Sequence, residues 1–181
     1  LYSPLVSKGS FIVAMDGIAV IINKNNSIKN LSIVQLKGIY TGQITNWKDL
    51  GGKDQKIVVV SRDTASGTYE AFGHLVLGDS KVAPFALLEA SNKGVFSIIE
   101  KTPSAIGYVG VAYAKGNVNV ITVNNIKCTK ENILSSKYPL SRALFMYTNG
   151  IPKGSVKKYI DFVLSPAGQK IVEEVGYIGL K

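Results

Sequence analysis

The chain has 181 residues, of which 46% are apolar and 18% charged, a globular composition that excludes a disordered tail. No run of about 18 consecutive apolar residues occurs, so no membrane-spanning helix is expected. The formal charge of +9 favours anionic partners, but the lysines are dispersed and form no basic stripe interleaved with aromatics, so nucleic acid is not expected among them.

The opening stretch LYSPLVSKGSFIVAM lacks the charged start, compact apolar region and cleavage site of a secretory signal. The run Ile18 to Ile22 in FIVAMDGIAVIIN reads as a strand covered on both faces. A polar loop follows from Asn23 to Asn30. In LSIVQLKGIYTG, Ser32 reads as an N-cap with Gln35 at the third helical position, and Leu31 can staple onto Leu36. Trp47, beside a turn, reads as a packing residue. KIVVVS is a second buried strand, and TYEAFGHLVLG places Ala71, Phe72, Leu75 and Val76 on one helical face.

Farther along, SNKGVFSIIEK has helical spacing at Val95, Ile98 and Ile99; AIGYVGVAYA reads extended, and VNVITVNNI alternates as a strand. The end forms two helices, the second with Ser165 as N-cap, Pro166 as first helical residue and Gly176 as terminator. Strands alternating with helices predict an α/β fold with a mostly parallel or mixed sheet. Cys128, the lone cysteine, excludes an internal disulfide and reads as a spectator.

One stretch carries chemistry. In VVVSRDTASGTYEAF a strand turns into a helix, and open α/β sheets bind ligands at the carboxyl ends of their strands. The helix N-terminus offers unpaired N–H groups and a partial positive charge. Ser66 and Thr68 add hydroxyl donors, Gly67 admits close backbone approach, and Arg62 can supply a two-pronged charged contact. Donors converging on one centre fit a small oxyanion. The same residues also allow a plainer arrangement, in which Ser66 only caps the helix and Arg62 pairs with Asp63 or Glu70. Neither a Walker A loop nor a GxGxxG fingerprint is present.

Catalytic readings are weaker. The only histidine, His74, lies two turns along the same helix and is not aimed at Ser66. Asp49, Asp54, Asp63 and Asp79 fall singly in loops, without metal-ligand spacing. No catalytic residue, metal or cofactor is assigned.

The segments MDGIAVIIN, LSIVQLKGIYTGQITNWKDLGG, IVVVSRDTASGTYEAF, PSAIGYVGVAYA, YPLSRALFMYTNG and FVLSPAGQKIVEEVGYIGL, in this order, resemble the phosphate-binding proteins of bacterial and archaeal phosphate ABC transporters. The resemblance spans nearly the whole chain and is most specific at SRDTASGT and IYTGQITNW. It implies a two-lobed class II periplasmic-binding-protein fold, binding of inorganic phosphate for high-affinity uptake, and permease subunits as partners. It further implies an extracytoplasmic location, with membrane attachment through a lipid on a removed or absent N-terminal segment. Arg62, Ser66, Gly67 and Thr68 fall on the family's phosphate-binding positions.

On this resemblance residues 1–22 are a first-lobe remnant and hinge strand, 23–137 the second lobe carrying the anion loop, and 138–181 the return crossing and C-terminal helices of the first lobe. The family's glycine- and serine-rich phosphate loop and buried aspartate are not visible before Asp16. Self-association through the incomplete first lobe is therefore expected. Two other readings compete: a phosphate-ester hydrolase using Ser66, and a basic surface adhesion or scaffold domain.

Overall fold

A computed structural model describes residues 9–180. The first eight residues of the expected first-lobe remnant lie outside the described residues. The chain divides into two compact units, one comprising residues up to Asp16 together with Arg142 onward, the other Gly17–Ser141.

In the larger unit the apolar runs become strands because each finds cover on both faces. Strand β1 (Ser10–Asn23) enters from the smaller unit, and its Ile18 to Ile22 are fully buried. After the short β2 (Asn30–Leu31), helix α1 (Ile33–Tyr40) starts on the expected capping box: Ser32 Oγ accepts the Gln35 N–H, and Gln35 Oε1 accepts the Ser32 N–H. A 3-10 turn at Trp47–Leu50 leads to β3 (Val58–Arg62), α2 (Gly67–Phe72) and a π-helical turn at Gly73–Leu77. Then come β4 (Leu87–Glu89), α3 (Asn92–Lys101), β5 (Ala105–Gly110), β6 (Val118–Val120), β7 (Thr122–Val123) and α4 (Lys130–Leu134).

The sheet order is β4-β3-β5-β1-β6. Strand β3 pairs in parallel with β4 and β5, whereas β1 is antiparallel to β5 and β6, so the sheet is mixed, as the α/β reading allowed. On one face Val95 and Ile99 of α3 pack with Ala19, Ile21, Val60, Ala105 and Val109. Gly107 permits this approach: a Cβ there would lie 2.7 Å from a Val95 methyl. On the other face Tyr40 of α1, Phe72 of α2 and Tyr108 of β5 form an aromatic cluster, with Phe72 and Tyr108 stacked at 4.0 Å and 4°.

Three expectations change in detail. The extended reading of AIGYVGVAYA holds only to Gly110, after which Val111–Tyr113 form a 3-10 turn. The helical face proposed for Ala71, Phe72, Leu75 and Val76 is rotated after Phe72: Val76 and Leu77 are buried while Leu75 is exposed. The wider π turn, closed by the Gly78 N–H on Gly73 O, moves the apolar face by one residue. The single strand read in VNVITVNNI is broken at Ile121, so β6 joins the main sheet and β7 pairs with β2.

The smaller unit contains the start of β1, strand β8 (Ser141–Tyr147), which pairs with β1, and helices α5 (Gly154–Leu164) and α6 (Pro166–Glu174). Ser165 caps α6 through the Gly168 N–H, and Gly176 adopts φ +93° just beyond its end, matching the expected start and stop. Met15 and Ile178 exchange backbone hydrogen bonds of 2.8 and 2.9 Å.

Candidate anion site

All four predicted site residues lie where β3 ends and α2 begins, within the larger unit. Ser66 is indeed the N-cap, its Oγ accepting the Tyr69 N–H, while its carbonyl accepts the Glu70 N–H. Capping does not exhaust the serine, because its hydroxyl proton remains available to donate. Gly67 is exposed and its φ is not positive, so no left-handed turn requires glycine there. The Thr68 N–H and hydroxyl make no hydrogen bond to the described residues. The first turn thus offers a backbone N–H and two hydroxyls on one short arc.

Arg62 is only 8% exposed. Its Nε donates to Glu89 O at 3.1 Å, Nη1 to Asn92 Oδ1 at 2.9 Å and Nη2 to Ala90 O at 3.0 Å. Every partner is a neutral oxygen, and the expected alternative pairing with Asp63 or Glu70 does not form. The chain's other arginine behaves oppositely. Arg142 grips Asp16, itself 4% exposed, through Nε at 3.2 Å and Nη2 at 3.0 Å. Arg142 is therefore charge-compensated inside the smaller unit, whereas Arg62 is buried without a carboxylate among the described residues.

The backbone under Arg62 is held from below. Tyr108 Oη accepts the Arg62 N–H at 3.2 Å and shares a 2.9 Å hydrogen bond with Ser61 Oγ. Burial pushes the Tyr108 hydroxyl's pKa up, with the Ser61 and Arg62 contacts working against that shift, so the phenol stays neutral at physiological pH. Stacking on Phe72 links this post to α2. Neither Tyr108 nor Asn92 stands out in the sequence. AIGYVG reads as a buried strand and SNKG as a helix start, and nothing local marks either residue as a partner of Arg62.

Ser66 makes no hydrogen bond to His74, which is exposed. Trp47 is 1% exposed, with Nε1 donating to Ser104 O at 2.8 Å, a packing residue as expected. No group of three or more His, Cys, Asp or Glu that could hold a metal occurs among the described residues. A small cavity lined by Asn25, Asn26, Lys53 and Gln55 lies beside Trp47, near the start of β3 rather than the end that carries Arg62.

The loop lies at the carboxyl end of a strand in a mixed α/β sheet, the place where open sheets of this kind take up ligands. Residues 9–167 match the PBP superfamily domain, and the chain belongs to that superfamily. It is 36% identical to the phosphate-binding protein PstS of Borreliella burgdorferi over 94% of this chain and 65% of that protein. The corresponding values for PstS of Bacillus subtilis are 38%, 92% and 56%. Among solved structures, an ABC-type phosphate transport receptor from Vibrio cholerae superposes with a TM-score of 0.86 at 37% identity, covering 93% of this chain and 71% of that one. A putative phosphate ABC transporter substrate-binding protein from Clostridium perfringens, with bound phosphate, gives 0.82 at 40% identity, covering 95% and 72%. The chain thus spans less than two thirds of the length of the curated relatives it matches.

Proposed function

We propose that the chain is the phosphate-binding part of an extracytoplasmic solute receptor for an ABC importer, with Arg62, Ser66, Gly67 and Thr68 contacting the ion. The observation that carries this reading is Arg62: a buried guanidinium with only neutral partners among the described residues, at the end of the strand that leads into the helix start. A phosphate anion supplies the missing counter-charge and accepts from every one of these groups. The relatives named for phosphate binding favour this over the hydrolase and scaffold readings. Permease subunits are the macromolecular partners in this reading, and a lipid on a preceding segment the membrane attachment. Among the described residues no helix is long and apolar enough to cross a membrane.

Calorimetric titration of the chain with phosphate and with sulfate tests the proposal. Phosphate keeps a proton at neutral pH that sulfate lacks, so only a site that also supplies an acceptor discriminates strongly between them. The loop described here supplies donors. Both anions are therefore expected to bind the chain weakly, no tighter than about millimolar, since an open site competes with water and salt. Gly67→Val is expected to abolish that binding while preserving the circular dichroism spectrum, because a branched side chain on the exposed first helical residue blocks the anion's approach. Phosphate binding that survives Gly67→Val would place the ion elsewhere.

The smaller unit adds a second expectation. Helix α5 buries only Ile160, while Val156, Tyr159 and Phe162, spaced three apart, are exposed together with Ile171 and Val175. Exposed apolar side chains of this number favour burial against a partner, and we propose that the isolated chain self-associates through these two helices. Sedimentation should show concentration-dependent association, reversed by Tyr159→Lys with Phe162→Glu. A wild-type monomer across the micromolar range would refute this.

A further inference from the structure

Asn92 stands at the first position of α3, thirty residues beyond Arg62, and its side-chain oxygen accepts two hydrogen bonds: from Arg62 Nη1 at 2.9 Å and from the Gly110 N–H at 3.2 Å. Both neighbours are donors, which settles the orientation of the amide with oxygen inward. One side chain thereby ties the carboxyl end of β3, the start of α3 and the end of β5 together.

We propose that Asn92 is the positioning residue of the anion site, and that its neutrality is what keeps the charge of Arg62 available to the ligand. The proposal rests on the phosphate reading above. A guanidinium carries five N–H groups. Three are committed, to Glu89 O, Asn92 Oδ1 and Ala90 O, leaving one on each terminal nitrogen for an oxyanion.

These three acceptors fix the plane of the fork before any ligand arrives, so little side-chain freedom is lost on binding. A carboxylate at position 92 would hold the fork equally well. It would also neutralise it, as Asp16 does for Arg142. The amide holds without compensating, which distinguishes a residue that prepares a binding arginine from one that buries it in an ion pair.

Asn92→Ala and Asn92→Asp separate the two parts of the proposal. The chain has only two arginines, so the Arg62 Nε–H signal in a nitrogen-15 NMR spectrum is assigned by Arg142→Lys and read without any phosphate. In the wild type that signal is expected to exchange slowly with solvent. In Asn92→Ala it is expected to lose protection, with phosphate affinity falling roughly tenfold. In Asn92→Asp protection and melting temperature should be kept or raised while affinity falls at least roughly tenfold, because the new carboxylate competes with the anion.

A purely structural asparagine would give an aspartate variant that binds like wild type, and that result overturns the proposal. So does an alanine variant that keeps both protection and affinity. A chain that binds no phosphate, yet shows protection lost in Asn92→Ala, upholds the clamp and overturns the phosphate reading instead.

Discussion

Arg62→Ala is expected to weaken phosphate binding by about 2–4 kcal/mol, the loss typical of removing a charged, hydrogen-bonding partner from a partly desolvated site. The size follows from where the group sits. It is buried, held by Glu89, Ala90 and Asn92, and unpaired with any carboxylate among the described residues, so its charge is uncompensated and its side chain needs little reordering to meet an anion. Arg62→Lys should recover only part of the loss, because an ammonium keeps the charge but cannot hold the three acceptors and present a fork at once. Calorimetry with thermal melts of each variant makes the check. A folded Arg62→Ala chain with unchanged affinity would remove this residue from the site.

Trp47→Ala is expected to cost about 3–5 kcal/mol of stability, the range for emptying a buried tryptophan site. Beyond volume, Nε1 donates to Ser104 O, which also accepts the Val58 N–H at 3.1 Å. That shared acceptor joins the beginnings of β3 and β5, so losing the Trp47 donor loosens the strand pair at that end. Trp47→Phe should cost less, and the difference between the two variants separates packing from the hydrogen bond. Chemical denaturation gives both values. Phosphate affinity, measured where the variants remain folded, should hardly change, because Trp47 touches the opposite end of β3. A Trp47→Ala chain as stable as wild type would contradict the packing assigned to this residue.

Much of this architecture could be read from local sequence because it is locally determined. The capping box at Ser32 and Gln35, the Ser165–Pro166 start and the buried run from Ile18 to Ile22 all rest on residues at most a few positions apart. The anion loop is local in the same way, since a strand, a turn and a helix start are consecutive in SRDTASGT. What could not be read is what the sheet order brings together. Asn92 and Tyr108 reach Arg62 only because β3 lies between β4 and β5. The shift at Leu75 has another cause: the 3.6-residue period stops at Gly73, where the chain widens to a π turn. The break at Ile121 does leave a trace, since Val120 and Ile121 are apolar in succession and shift the alternation from even to odd positions.

Strand β1 lies between β5 and β6 in the larger unit, pairing there with residues near position 110 and near position 119. Its apolar stretch around Ala19 to Ile22 leaves the ribosome long before either partner exists. Closing loops of that length is entropically slow, and strands with only distant partners assemble late. Until then a β-branched, uncharged segment waits exposed, with the composition that promotes pairing between chains. Biosynthesis of this protein therefore includes an interval in which an apolar strand waits unpaired, and shielding that segment until β5 arrives is a demand the fold places on the cell that makes it.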